Sequence, residues 1–197
     1  MDEGVLSVLR SCLAAAVLAF VVSPAAAAGP VVEETLPSLA MTGHFSLHTL
    51  DGKPITDASF RGKWLLVYFG YTNCPDVCPT VLNEIGVALN ELGSAAKKLQ
   101  PVFITVDPAR DKPSVLKKYM ASFDPRIVGL RGDGEETERA AKAFHVYYRP
   151  VALGNAQYTM DHSGFLYLID PKGKFVSLIT GNLPGHDLAK SLRKQLR

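Results

Sequence analysis

The chain has 197 residues, 47% hydrophobic content and a formal net charge of +2, enough for one domain with a substantial core. Its charges are spread along the chain and form no basic stripe interleaved with aromatics, which argues against a nucleic-acid partner. No internal repeat occurs, and no low-complexity block beyond the alanines near the N-terminus.

The first thirty residues differ from the rest. "CLAAAVLAFVV" (Cys12 to Val22) is an uninterrupted apolar run, followed by Pro24 and then "AAAAGP" from Ala25 to Pro30. An apolar core, a helix breaker and small residues resemble a secretory signal, with Ala26-Ala27-Ala28 as the cleavage site and Gly29 as the mature N-terminus. Asp2 and Glu3 are acidic and Arg10 is the only basic residue there, so an uncleaved anchor competes. The run to Ala28 lies at the lower edge of bilayer-spanning length. Cys12 follows Arg10-Ser11 and does not look like a lipid-attachment cysteine. Residues 1–28 are thus expected to be a signal peptide or membrane anchor, 29–42 a linker, and 43–197 the folded domain. Export leaves Cys74 and Cys78 as the only cysteines of the mature chain. In an oxidising compartment two thiols pair unless something keeps them reduced or occupied.

After the linker, "HFSLHTLDGKPIT" alternates apolar and polar residues around Asp51-Gly52, a hairpin signal. "KWLLVYFG" is apolar on consecutive positions and ends at Gly70, as in a strand buried on both faces. From Pro79 the period becomes helical, with Val81, Ile85, Ala88 and Leu92 on one face and Gly93 as the stop. "PVFITVD" is a second buried strand. "DKPSVLKKYMASF" reads as a helix capped by Asp111, with Pro113 in its first turn and Leu116, Met120 and Phe123 on one face. A short strand at Ile127–Leu130 and a helix near Glu135–Phe144 follow. "GFLYLIDPKGKFVSLIT" reads as two strands joined at Pro171-Lys172-Gly173, and Leu188, Leu192 and Leu196 make the last helix amphipathic. This order implies an α/β domain with a mixed sheet flanked by helices. A thioredoxin-like fold has that order, here with an added N-terminal β-hairpin. Ligands in such sheets collect at the carboxyl ends of the parallel strands, and Tyr68 to Cys78 leaves one such end.

Cys74 and Cys78 are spaced C-x-x-x-C at the entry to a helix, whose N-terminus stabilises thiolate over thiol. Pro75 and Pro79 stiffen the segment, and the residue before Pro79 is biased away from helical geometry, so both cysteines are expected on a loop entering the helix. Three readings compete. A structural disulfide closing so short a loop adds little stability. A dithiol redox centre fits the location, and residues i and i+4 of a helix lie about 6 Å apart, inside the disulfide range. A metal site has soft thiolates that favour copper(I), whereas zinc usually takes four ligands, or three and a water. A metal needs a third donor. His44, His48, His145 and His186 read better as surface or structural residues. His162, in "YTMDHSGFLYLID", lies in the turn before a core strand, which in a thioredoxin-like fold packs against the cysteine loop. Asp161 beside it is a candidate to orient the imidazole or to serve as a weak extra ligand. Asp107 and Arg110 follow a central strand on the same side, either making the turn or shaping the pocket.

"FGYTNCPDVCPT", "VDPARD" and "YTMDHSG", in that order from Phe45 to Leu196, resemble the Sco/SenC family of thioredoxin-like copper proteins. The resemblance implies copper(I) or copper(II) bound by Cys74, Cys78 and His162. It also implies a role in assembling the binuclear copper centre of cytochrome c oxidase subunit II, by delivering copper, by reducing that subunit's cysteines, or both. Further partners would be another periplasmic copper chaperone or a thioredoxin-like reductase. Lys112 stands where the family usually has Thr. The N-terminus lacks the Arg-rich, acid-poor character of a transit peptide, which favours a bacterial periplasmic protein, free or tethered to the inner membrane. The rival reading is a thiol–disulfide oxidoreductase acting through Cys74 and Cys78 alone. A peroxidase-like activity rests on fold analogy only.

Overall fold

The computed structural model describes residues 41–196. The signal or anchor expected at 1–28, and all but the last two residues of the linker expected at 29–42, lie outside them.

The first hairpin forms as its alternation predicts. β1 (Ser46–Thr49) and β2 (Pro54–Thr56) pair antiparallel, and Gly52 takes φ +78 in the turn, where a Cβ would be strained. β3 (Trp64–Gly70) has six consecutive buried residues, the pattern of a strand covered on both faces. It pairs parallel with β4 (Leu99–Thr105), and β4 pairs parallel with β5 (Val128–Arg131). β8 (Phe165–Ile169) lies antiparallel on the other side of β3, and β9 (Phe175–Thr180) returns beside β8. The seven-stranded sheet has the order β2-β1-β5-β4-β3-β8-β9. This is the expected mixed thioredoxin-like sheet with an added N-terminal hairpin.

Helices α1 (Val77–Leu92), α2 (Pro113–Met120), α3 (Gly134–Ala143) and α4 (Gly185–Gln195) flank the sheet. α1 buries Val81, Leu82, Ile85, Ala88, Leu89 and Leu92, the 3.6-period face legible in the sequence, and ends at Gly93 with φ +57. α1 and α4 pack together closely: a Cβ on Gly185 would meet Val87 Cβ at 2.6 Å. The core is aromatic where β3 meets β8. Phe69, Phe144 and Tyr167 are all nearly fully buried, with ring centroids 5.3 to 5.9 Å apart and edge-on. Each such ring contributes about 1.5–3 kcal/mol by burial alone, which anchors β3 against β8 and gives the loop that β3 feeds a firm base.

Three local readings are corrected. α1 begins at Val77, so Cys78 sits in its first turn while Cys74 stays in the loop. Pro79 is tolerated because a first-turn N–H has no intrahelical partner to lose, and the Thr80 N–H already bonds the Asp76 carbonyl at 3.2 Å. Asp111 does not cap α2, whose N-cap is Lys112 with no side-chain cap bond; its carboxylate turns inward instead. A second hairpin, β6 (Tyr148–Gly154) with β7 (Gln157–His162), forms its own two-stranded sheet, so His162 ends a strand rather than lying in a turn. Its outer strand escapes a pattern reading because Arg149, Pro150, Ala152 and Leu153 are exposed and Pro150 argues against a strand. The signal that marks it is Gly154-Asn155, and Gly154, Asn155 and Ala156 all take positive φ at the tip.

Gly70 closes β3 beneath the cysteines. A Cβ there would stand 2.7 Å from Phe103 Cε2 and 3.0 Å from Cys78 Sγ. Gly70→Ala should destabilise the protein by about 1–3 kcal/mol through overpacking. A urea midpoint equal to wild type would show that the strand relaxes freely instead.

Candidate metal centre

The topology brings three separate segments to one place. β3 and β4 are parallel, so the cysteine loop after Gly70 and the 106–112 loop leave the same edge of the sheet. β8 runs antiparallel to β3 with Leu166 opposite Tyr68, so its start lies beside the end of β3. His162, three residues before β8, therefore faces the cysteines. The donor atoms of Cys74, Cys78 and His162 all lie within 4.8 Å of one another, and among the described residues this is the one such group of His, Cys, Asp or Glu. Cys78 Sγ is 3.5 Å from His162 Nε2. A cavity of about 260 Å³ opens over the group, lined by Tyr71, Cys74, Met160 and His162 among others.

The two sulfurs are not equivalent. Both are free thiols, with Cys74 half-buried and Cys78 buried. The Cys78 N–H donates to Cys74 Sγ at 3.2 Å, so Cys74 occupies the place of a capping acceptor at the α1 N-terminus, where Asp76 makes no side-chain cap bond. The Cys78 thiol, then the His162 side chain, and more weakly the backbone N–H groups of Cys78 and Asp76, stabilise the Cys74 thiolate against the cost of burial, lowering its pKa from 9.0 to about 4. Cys78 moves the other way, pushed well up by the Cys74 thiolate and then by burial. The first ionisation of the pair therefore falls on the more accessible sulfur. In the reduced protein Cys74 should alkylate before Cys78, at a rate nearly flat from pH 8 to pH 5. Peptide mapping after brief iodoacetamide treatment checks this; a tenfold fall per pH unit, as for an unperturbed thiol, would contradict it.

His162 Nδ1 lies 3.1 Å from the Ser163 carbonyl, which only accepts. Nδ1 therefore carries the proton and Nε2 presents its lone pair to the sulfurs. The orienting role expected of Asp161 belongs to that carbonyl. Asp161 is exposed and points to Arg149 at 3.7 Å, because neighbouring residues of β7 face opposite ways. Tyr71 packs edge-on to the imidazole with centroids 5.7 Å apart and its hydroxyl bonds Thr159 Oγ1 at 2.7 Å. The other histidines are placed elsewhere: His44 pairs with Asp57, His48 with Glu136 and His186 with Asp187, and His145 follows α3 with φ 53.

Asp107 makes the turn and also ties the hairpin down, without touching the three donors. It is 3% exposed and accepts from Arg110 Nε at 2.5 Å and from the Tyr158 hydroxyl at 2.8 Å. Arg110 lies 3.6 Å from the Tyr158 ring centroid and donates to the Tyr158 carbonyl at 2.6 Å. Asp107 and Arg110 thus clamp β7, the strand that carries His162. Asp111 does the same for the cysteine loop. It accepts from the Thr72 N–H at 3.1 Å, the Thr72 hydroxyl at 2.6 Å and the Thr105 hydroxyl at 2.5 Å. Pattern reading missed Tyr71, Thr72, Asp111 and Ser163 as site residues; the signal that pointed toward them is membership of the quoted motifs, Tyr71 and Thr72 in "FGYTNCPDVCPT", Asp111 in "VDPARD" and Ser163 in "YTMDHSG".

A family model described as SCO1/SenC matches residues 33–197. Protein SCO1, mitochondrial, of Saccharomyces cerevisiae is 44% identical over 149 residues, which is 74% of this chain and 50% of that protein. The chain spans about half the length of the curated relatives it matches. Among solved structures, "Structure of Bradyrhizobium japonicum ScoI with copper bound" has a TM-score of 0.73 at 42% identity, covering 79% of this chain and 99% of that one. "Crystal structure of Arabidopsis thaliana ScoI with copper bound" has a TM-score of 0.75 at 36% identity, covering 80% and 99%. The yeast, human and Arabidopsis curated relatives are mitochondrial by name, which overturns the expectation of a bacterial periplasmic location. Because one family model accounts for the whole sequence from residue 33 onward, the chain belongs to the SCO1/SenC family.

Proposed function

We propose that this chain binds one copper ion through the Cys74 and Cys78 thiolates and the His162 imidazole, and passes it to the binuclear copper centre of cytochrome c oxidase subunit II during assembly. The observation that carries the reading is the donor set itself: two sulfurs and one nitrogen from distant segments, all within 4.8 Å. Two thiolates and an imidazole suit copper, and three donors fall short of the closed four-ligand shell of structural zinc. Relatives solved with copper bound, at 36% and 42% identity, support the same assignment.

Each residue has a distinct task. Cys74, ionised and the less buried of the two cysteines, meets incoming copper first. Cys78 must give up its proton on loading, so binding releases acid near neutral pH. His162, held by the Ser163 carbonyl, offers Nε2 without reorientation. An open three-donor site lets an acceptor's thiolates enter one at a time and take the ion by ligand exchange.

The test is an anaerobic copper(I) titration of the reduced full chain, carrying Cys12→Ser so that only the two site sulfurs count, against a competing chelator. One equivalent bound tightly is the expected result; weak or non-stoichiometric binding would overturn it. The second reading, a thiol–disulfide reductase acting on that subunit's cysteine pair, is favoured by the two adjacent free thiols and the ionised Cys74. His162→Ala separates the two. Loss of function with an unchanged dithiol reduction potential supports copper; retained function supports the reductase.

A further inference from the structure

Charges that are scattered along the sequence are gathered by the fold. β3, β4 and β5 are parallel, so the segments before them share the end of the sheet opposite the metal centre. Trp64 pairs with Leu99, which brings Lys63 and Lys98 into the sheet side by side. Arg126 joins them from the segment before β5, its carbonyl accepting from Gln100 Nε2 at 2.9 Å. Lys63, Lys97, Gln100 and Arg126 line one cavity of about 500 Å³. The β8–β9 turn reaches the same end, since the Gly62 N–H bonds the Pro171 carbonyl at 3.0 Å. Lys172 and Lys174 of that turn are exposed. The end of α4 closes the face: Lys98 Nζ donates to the Leu196 carbonyl at 3.0 Å, and Arg193 donates to the Glu91 carbonyl.

The acids at this end do not balance these cations. Asp57 pairs with Arg61 and Asp124 with Arg126. The Asp170 carboxylate accepts from the Lys172 and Lys174 N–H groups, and Glu91 is exposed beside Arg193. Among the described residues, Lys63, Lys97, Lys172 and Lys174 form no ion pair. The metal end leans the other way, with Asp76 at the start of α1 and Asp133, Glu135 and Glu136 at the start of α3.

Two further observations select a lipid surface as the partner. The Gly43 N–H bonds the Ala143 carbonyl, and a Cβ on Gly43 would stand 3.2 Å from Ile169 Cδ1. Ile169 ends β8 and pairs with Leu65 near the start of β3. The chain that carries the apolar run Cys12 to Val22 therefore enters the domain toward this same end. Trp64, the one tryptophan of the chain, is half-buried next to Lys63, and lysine with tryptophan is the combination that suits a bilayer interface. Single-stranded nucleic acid would call for aromatics interleaved with the cations, which this face lacks.

We propose that this basic end is a docking face for an anionic lipid bilayer, its lysines and Arg126 meeting headgroup phosphates. Docked so, the domain holds Cys74, Cys78 and His162 away from the bilayer, open to an acceptor. The inference is independent of the copper reading.

The experiment measures quenching of Trp64 by headgroup-spin-labelled lipid, using the full chain at saturating lipid. The apolar run contains no tryptophan, so the signal follows the folded domain and not that run. Phosphatidylglycerol-containing vesicles should quench Trp64 strongly and pure phosphatidylcholine vesicles weakly. Raising salt from roughly 0.1 M to 1 M, which shortens the Debye length from about 10 to 3 Å, should abolish the difference. Each lysine at an anionic surface is worth about fivefold, so Lys63→Gln with Lys97→Gln should weaken docking about 25-fold. Lys112→Gln with Arg149→Gln removes the same charge at the metal end and should leave docking unchanged. Equal quenching on both vesicle types, insensitivity to salt in wild type, or an equal loss in the metal-end variant would overturn the proposal. So would displacement by inorganic phosphate at constant ionic strength, which would reduce the face to a small-anion cavity.

Discussion

Cys78→Ser and His162→Ala should each weaken copper(I) binding by more than ~100-fold, beyond the roughly 10–100-fold that loss of an outer-shell partner costs. Cys78 is fully buried in the first turn of α1 and 3.5 Å from His162 Nε2, so neither can be replaced by a neighbour without moving the helix or β7. Serine keeps the shape of Cys78 but offers a hard, protonated oxygen to a soft ion. His162→Ala leaves both sulfurs in place, and a two-thiolate site still holds copper(I), so this variant should be the milder of the two. Asp161→Asn should fall within about twofold of wild type, because the exposed Asp161 faces Arg149 rather than the imidazole. The check is chelator competition on reduced protein with circular dichroism to confirm folding. A fully folded His162→Ala variant that binds like wild type would remove the imidazole from the donor set.

Asp111 should give the largest effect among residues that touch no donor. Asp111→Ala leaves the Thr72 N–H and the Thr105 hydroxyl without an acceptor and the Thr72 hydroxyl with only Asn73 Oδ1 at 3.2 Å, at a cost of roughly 3 kcal/mol. It also frees the cysteine loop, since Thr72 lies two residues before Cys74. Asp111→Asn behaves oppositely. An amide oxygen still accepts, and its NH₂ can donate to a Thr hydroxyl, while the buried charge disappears. The sign follows from burial, which raises the Asp111 pKa above 3.8 against the opposing hydrogen bonds from Thr105 and Thr72. A carboxylate whose folded pKa is raised carries its full burial cost above that raised value and loses it as pH falls through it toward 3.8. Asp111→Asn should therefore match or exceed wild-type stability at pH 7, with any advantage shrinking on acidification. Urea unfolding at pH 7 and pH 4.5 tests both variants. A large loss for Asp111→Asn at pH 7 would mean that the charge itself holds the loop.

The clamps explain how the candidate metal site is kept in order without a large pocket. Asp111 fixes the cysteine loop from below, and Asp107 with Arg110 fixes the hairpin that brings His162. Both clamps come from the "VDPARD" segment. That segment contributes no donor of its own and acts by holding two others at the right separation.

The sequence by itself determined the sheet strands with strong hydrophobic patterns, the helical face of α1, the hairpin at Asp51-Gly52 and the three candidate donors. These are short-range properties: β3 is apolar at consecutive positions because both its faces are covered, and α1 repeats its apolar residues with the helical period. The tertiary structure alone decided the rest. It started α1 before Pro79, because an N-terminal turn needs no proline N–H. It turned Asp111 from a presumed cap into a buried acceptor, because Thr72 of the cysteine loop, 39 residues earlier, meets it beside Thr105 at the end of β4. It raised a second hairpin from mostly exposed residues that carry no core pattern, and it gave the imidazole to the Ser163 carbonyl and Asp161 to Arg149. Asp111 meets Thr72 across 39 residues of chain, and Cys78 meets His162 across 84; the other features join nearer groups but leave no periodic trace in the sequence. Local periodicity records only which way a residue faces, whereas hydrogen-bond partners are chosen once β3, β4 and β8 have aligned.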